Sequence, residues 1–282
     1  MNNIPAFQSQ TMNLNIKDGV PFLTYKTLEK IPFINHAFST RLGGVSTGEF
    51  SSMNLALNRG DEYEKVIQNY KIFCNAAGFD FNTLVASAQD HNTFVRKVTV
   101  NDCGTGITRP RDIQSVDALV TNEKNVTLVT YYADCTPVFF VDTVKKVIAL
   151  AHAGWRGTVG KICEKVIHAM EDYYLCDKKD IICCIGPAIG KCCYEIDQSC
   201  YDEFAGLDCI NISSVMTCKN NGKYMANLLE TNRQIIISAG VPEKNITLSD
   251  ICTKCNSELL WSHRATNGHR GTMCAFMCIN HQ

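Results

Sequence analysis

Two histidines and a cysteine carry the most chemistry in this sequence: His91, Cys135 and His152. His152 closes the apolar run VIALAH and is followed at once by Ala-Gly-Trp-Arg-Gly-Thr, so an imidazole stands where a strand must end. Cys135 falls inside YYADCTPVFFV, at the break between two β-branched and aromatic stretches. His91 lies in ASAQDHNTFV, a polar interruption between apolar LVA and FV that is a poor place for core filling. Two neutral imidazoles and a thiolate suit Zn²⁺ and leave a fourth position for water or substrate, the make-up of a catalytic site rather than a closed structural one. Read without a metal, Cys135 as nucleophile and His152 as its base are the pair a cysteine hydrolase needs. A satisfied histidine and a buried thiol are the third reading these residue types allow.

The neighbours of His152 add to this. Gly154 permits a sharp turn or a close backbone approach. Gly157-Thr158 reads as the opening of a helix with Thr158 as its N-cap, whose free N–H groups would favour an anion. Arg156 offers a forked donor for phosphate or carboxylate, and Trp155 reads as a wall. A competing metal set is Cys252-Thr-Lys-Cys255 with Cys274 and Cys278, four thiols near zinc-ribbon spacing. Against it, Cys274 and Cys278 interleave with Ala275, Phe276 and Met277 in what reads as a buried strand.

The elements that must position these residues are legible from apolar spacing. Strands are expected over 126–133, 137–142, 147–152, 180–186 and 275–279, with DTVKK as a hairpin turn between the second and third. A hairpin there could bring Cys135 and His152 to one edge of a sheet. Helical spacing marks Tyr63 to Ala77 with Gly78 as a stop, Val159 to Met170, and Leu228 through Ala239 to Gly240. Strands that come in meanders as well as beside helices fit a mixed-sheet α+β architecture better than regular βαβ alternation. No GxGxxG or GxxxxGKS segment is present, which argues against a dinucleotide-binding or Walker-type enzyme.

Composition narrows the class. The 282 residues, 45% hydrophobic, can fill a sizeable core, and without a linker, charge run or repeat they read as one domain over 1–282. With 27 basic against 28 acidic side chains and no Lys/Arg block, neither nucleic acid nor a membrane surface is an expected partner. No basic start leads into an apolar core, and VTLVTYYADCTPVFFV is broken by Asp134, so a cytoplasmic protein without a membrane span is expected. The 16 cysteines are then read as reduced thiols, with Cys74, Cys163, Cys176, Cys183, Cys184 and Cys200 as small buried hydrophobes.

Seven segments resemble, in order, the laccase-domain family: FSTRLGGVSTGEFSSMNLAL (38–57), AQDH ending at His91, DALVT (117–121), YADCTPV (132–138), AHAGWRGT (151–158), IGPAIGKCCYEI (185–196) and WSHRATNGHRGTM (261–273). That family was first labelled multicopper polyphenol oxidase and is now regarded as zinc-dependent purine nucleoside phosphorylase with adenosine deaminase activity. The resemblance implies zinc on His91, Cys135 and His152, with copper as the other metal to consider. It also implies one mixed α/β domain of packed mixed sheets flanked by helices, similar to the catalytic domain of cytotoxic necrotizing factors. The expected substrates are phosphate with adenosine, inosine, guanosine or methylthioadenosine, handled by a monomer or homodimer. Asp134 and Asp90 are the candidate proton carriers for deamination. Arg41, in the Gly-rich FSTRLGG loop, then Arg264 and Arg156, are the candidate phosphate or substrate contacts. Two departures stand out. Gln89-Asp90-His91-Asn92 replaces the family's Gln-Val-His-Gly, and Arg270-Gly271-Thr272-Met273 replaces its Gly-Arg-Met. A copper polyphenol oxidase would want further histidine-rich sites than seven histidines without a His-x-His pair supply. A non-enzymatic nucleoside sensor would keep the site but not turn over.

Overall fold

The computed structural model describes residues 4–280. The first of two six-stranded mixed sheets orders β1 (Met12–Lys17), β2 (Val20–Tyr25), β3 (Ile34–Ser39), β15 (Met273–Ile279), β7 (Thr127–Tyr132) and β4 (Leu84–Ala86). The second orders β14 (Ile246–Leu248), β10 (Ile181–Ile185), β8 (Thr136–Asp142), β9 (Val147–Ala153), β6 (Ala118–Thr121) and β5 (Val95–Lys97). Most neighbours run antiparallel, but β4–β7, β5–β6 and β10–β14 are parallel. The mixed-sheet expectation therefore holds.

Alternation along each strand explains how the layers are built. Leu128 of β7 and Met277 of β15 face a core shared with Phe139 of β8 and with Ile148 and Leu150 of β9, so the two sheets pack on each other. The alternate residues face outward and are covered as well. Val129 and Phe276 pack under Val66, Tyr70 and Phe73 of α1 (Tyr63–Ala77). Ala149 and Ala151 pack under Val166, Ile167 and Met170 of α3 (Ile162–Tyr174), and Ile235 and Ile236 of α6 (Leu228–Ser238) close the same layer. Because the central strands β8 and β9 are buried on both faces, PVFFV and VIALA read as continuous apolar runs rather than as alternating ones.

A smaller sheet of β11 (Glu195–Ile196), β13 (Tyr224–Ala226) and β12 (Met216–Cys218) packs with α4 (Gln198–Ala205) and α5 (Ile212–Val215) around Phe204 and Val215. None of the helices in the described residues is long and apolar enough to cross a membrane.

The helix after His152 differs from expectation. A short α2 (Trp155–Val159) starts one residue after Gly154, and the chain breaks at Lys161, with φ of 56°, before α3 begins. Thr158 is thus an interior residue, buried, and its hydroxyl accepts from Asn232 Nδ2. It caps nothing, and the helix N-terminus expected at Gly157-Thr158 is absent. Of the thiols expected in the core, Cys74, Cys163, Cys176, Cys183 and Cys184 are buried, and burial pushes Cys74 up to about 12. Cys200 is only half-buried.

Candidate metal centre

Both sheets lend their crossings to one point. After β4 the chain leaves the first sheet for β5 of the second and carries His91 on the way. After β7 it crosses again, into β8, and carries Cys135 just before that strand starts. The β8–β9 hairpin pairs Pro137 with His152, which sets the second histidine beside the start of β8. At the hairpin's other end the Val144 and Lys145 amides donate to Asp142 Oδ1, fixing the DTVKK turn. One donor atom from each of His91, Cys135 and His152 then lies within 4.8 Å of the others. Cys135 Sγ stands 3.8 Å from His91 Nε2. A tetrahedral ion bound at about 2.0–2.3 Å spaces its ligands about 3.5 Å apart, so the donor set fits one Zn²⁺-sized ion. His152 is buried, Cys135 half-buried and His91 exposed, which leaves one side open.

Asp117 holds this arrangement and was not expected from sequence. Its carboxylate, fully buried, meets His152 Nδ1 at 2.6 Å and accepts from the amides of Asp90, His91 and Asn92, each at 3.1 Å. With a carboxylate opposite Nδ1, that nitrogen carries the proton and Nε2 is left to bind. One side chain thereby sets the tautomer of one histidine and the backbone of the other. Burial works against its charge, but the hydrogen bond and charge of His152 and the neighbouring amides outweigh it and hold Asp117 below the usual carboxylate range. Burial likewise opposes a thiolate at Cys135, yet His152 and His91 bring that group down to about 6. At His152 burial is outweighed by Cys135 and Asp117, and the imidazole rises to about 9.

The backbone is shaped to the same end. His91 (φ 70°) and Asp134 (φ 83°) both adopt the left-handed region that side chains avoid, one a ligand and one beside a ligand. Gly154 is a close approach, as its position in the sequence implied. A Cβ there would stand 2.7 Å from His91 Cδ2 and 3.3 Å from Cys135 Sγ.

The three donors open into a cavity of about 220 Å³ walled by Tyr131 and Tyr132. Three arginines line it: Arg59, Arg111 and Arg270. The Nε atoms of Arg111 and Arg270 are buried without a hydrogen-bond partner. Both side chains bring positive charge to the cavity lining beside the three donors.

The arginines and carboxylates expected from sequence are placed differently. Arg41 stacks over Trp261 at 4.0 Å and donates to the Ser257 carbonyl, outside the cavity lining. Arg156 lies over Trp155 and shares a separate groove with Arg264, which donates to the Glu195 carbonyl. Both oxygens of Asp90 are engaged, by Asn92 Nδ2 and Ser115 Oγ. Both oxygens of Asp134 accept as well, from Thr253 Oγ1 and the Arg264 amide. Neither carboxylate lines the cavity. Sequence gave little signal for Arg59 and Arg111, which sit in the polar loops LNRGD and TRPRD where surface ion pairs are ordinary. The four-thiol set of Cys252, Cys255, Cys274 and Cys278 is not assembled. Cys274 is buried on β15 against Tyr70, and Cys252 and Cys255 meet other sulfurs.

A model of the family described as multi-copper polyphenol oxidoreductase laccase matches residues 35–280. Purine nucleoside phosphorylase YlmD of Geobacillus stearothermophilus is 35% identical over 242 residues, 85% of this chain and 88% of that protein. A purine nucleoside phosphorylase of Bacteroides thetaiotaomicron is 33% identical over 272 residues, 95% of this chain and 99% of its own. The crystal structures of Geobacillus stearothermophilus YlmD and of the Bacillus licheniformis hypothetical protein YfiH each superpose with a TM-score of 0.89 at 31% identity, covering 95% of this chain and 99% of theirs. Since the family match runs through both sheets and every donor of the metal centre, this chain belongs to the multi-copper polyphenol oxidoreductase laccase family.

Proposed function

We propose that this protein is a zinc-dependent purine nucleoside phosphorylase that also deaminates adenosine. The observation that carries the reading is the meeting, in one cavity, of a His-Cys-His donor set with three arginines. The names of the relatives point the same way. Zn²⁺ held by His91, Cys135 and His152 would supply a Lewis acid at the mouth of this cavity.

The remaining steps belong to the chain. Phosphorolysis breaks the bond from C1′ to the purine nitrogen, makes one from C1′ to a phosphate oxygen, and leaves the electron pair on the purine. Arg111, Arg270 and Arg59 hold the phosphate dianion and offset its charge while it closes on C1′. Tyr131 and Tyr132, from opposite faces of β7, each lend aromatic surface to the cavity in which a purine packs. Asp117 keeps His152 in the binding tautomer throughout. We assign Asp90 and Asp134 to holding the ligand-bearing turns, because all their oxygens already accept hydrogen bonds, and Arg41, Arg156 and Arg264 to positions outside the cavity.

Adenosine, inosine, guanosine and methylthioadenosine are the substrates to assay. Zinc-replete enzyme given inosine should release hypoxanthine and ribose 1-phosphate only when phosphate is present. Absence of phosphate-dependent turnover would sink the reading. Adenosine without phosphate should give inosine, and its failure would remove the deaminase half alone.

One observation favours a second reading. Cys135, His152 and Asp117 are ordered like a cysteine hydrolase triad, with a thiolate-imidazolium pair steadied by a carboxylate. Loss of one equivalent of bound metal in His91→Ala decides for the zinc centre, since a free nucleophile does not need His91. A copper oxidase would need further histidine-rich sites, and the other ligand cluster among the described residues is all sulfur.

A further inference from the structure

Cys252 and Cys255 meet a different pair of thiols from the one their spacing had suggested. The turn 190–193 and the turn 252–255 come together so that Cys192 Sγ and Cys193 Sγ stand 3.6 and 3.5 Å from Cys255 Sγ. All four sulfurs of Cys192, Cys193, Cys252 and Cys255 lie within 4.8 Å of one another. We propose that these four cysteines form a second metal site, a tetrathiolate centre for a single Zn²⁺, which shares no ligand with the centre at His91, Cys135 and His152.

The spacing fits one ion. Zinc–sulfur bonds of about 2.3 Å in a tetrahedron put the sulfurs about 3.8 Å apart. An iron–sulfur cluster would hold its thiolates farther apart, across the edges of the cluster. Disulfides would need sulfurs at about 2.05 Å, and all four are free.

The backbone around the sulfurs is built for them. The Gly190 amide donates to Cys252 Sγ at 3.2 Å, the kind of bond that steadies a thiolate. A side chain at 190 would crowd this approach, because a Cβ there would stand 3.1 Å from Cys252 Cβ and 3.2 Å from Cys192 Sγ. The two turns are joined by a parallel bridge between Ala188 and Cys252 and by the Thr253 amide donating to the Ala188 carbonyl at 3.0 Å. Lys191 and Lys254, each next to a ligand in sequence, put cations near a centre with net negative charge.

The position also gives the ion work. Ile189 donates its amide to the Asp134 carbonyl and Thr253 donates its hydroxyl to Asp134 Oδ1. Both turns therefore grip the residue next to Cys135. A staple here holds the first centre's thiolate in place without touching substrate.

The test is metal content of the full-length protein, purified with reductant, loaded with zinc and freed of excess. Wild type should hold two zinc ions per chain, His91→Ala one, and Cys192→Ser/Cys255→Ser one. A wild type with a single zinc that His91→Ala removes entirely would overturn the site. Because the double serine variant can fail to fold, His91→Ala is also stripped and titrated with Co²⁺. Strong thiolate charge-transfer absorption saturating at one equivalent is expected. No saturable thiolate band, or these sulfurs found by mass to be paired as disulfides in spite of the reductant, would equally overturn it.

Discussion

Asp117 accepts hydrogen bonds from one ligand's ring and from the backbone on both sides of the other, so changing its charge moves two donors at once. Asp117→Asn should weaken zinc binding at this centre by about 10- to 100-fold, read by competition with a chromophoric chelator. Unchanged affinity would mean that the histidines are oriented by packing alone. His91, Cys135 and His152 were legible because each is a polar residue where an apolar run stops. Asp117 was not: it opens the strand-like DALVT, and its partners lie 25 to 35 residues away in sequence. The same geometry fixes the reactivity of the bare thiol. With Cys135 at about 6 in metal-free protein, the sulfur is protonated below that pH and a thiolate above it. Alkylation of the stripped protein should therefore rise with a midpoint near pH 6. In His152→Ala, which loses the main cationic neighbour, the midpoint should move up toward the ordinary thiol value of about 8.5. A midpoint that ignores His152 would show that the pair is not coupled.

The elements were legible in proportion to how local their causes are. α1 ends at Ala77 with Gly78 in the left-handed cap, as its apolar period and terminal glycine implied. The β8–β9 hairpin was equally plain from DTVKK. What sequence concealed was that β7 and β8 belong to different sheets, so that Cys135 sits on a crossing rather than in a meander. It also concealed the break at Lys161, a non-glycine residue at positive φ that local propensity does not reveal. The hairpin offers a control for the metal centre. Asp142, buried at the turn end, takes the amides of Val144 and Lys145, whereas His152 sits at the far end of the same strand pair. Asp142→Ala leaves those amides, on the exposed residues Val144 and Lys145, to water, at a cost of about 0.5–1.5 kcal/mol. Tm should fall by a few degrees while zinc stoichiometry at His91, Cys135 and His152 stays unchanged. Loss of zinc from a well-folded Asp142→Ala protein would mean that the hairpin transmits strain along its whole length.

At the scale of the whole molecule, the anion side of the cavity is assembled from three distant parts of the chain, which is why no stretch of sequence announces it. Arg59 precedes α1, Arg111 lies in the loop ahead of β6, and Arg270 stands just before β15. Only the folding of α1 over one face of the first sheet, and the return of the C-terminal strand into that sheet's middle, brings them to the cavity of His91, Cys135 and His152. The departure at Arg270-Gly271-Thr272-Met273 is thereby resolved: the arginine lines the cavity, and its Nη1 donates to the Gly271 carbonyl and Thr272 Oγ1. Burial and the nearby Arg59 bring Arg270 down to about 10, so it stays charged at neutral pH while its Nε lacks a partner. A phosphate that meets a guanidinium N–H on the cavity side gains a charge-assisted bond worth about 1.5–3 kcal/mol. Arg111→Gln and Arg270→Gln should each lower kcat/KM for phosphate by about 10- to 100-fold at pH 7, in steady-state assays of inosine phosphorolysis. Zinc content should not change, because neither side chain is a ligand. Conversion of adenosine to inosine, which consumes no phosphate, should lose far less. If both activities fell together, the arginines would be holding the nucleoside or the shape of the cavity, and phosphate would have to be sought on another wall.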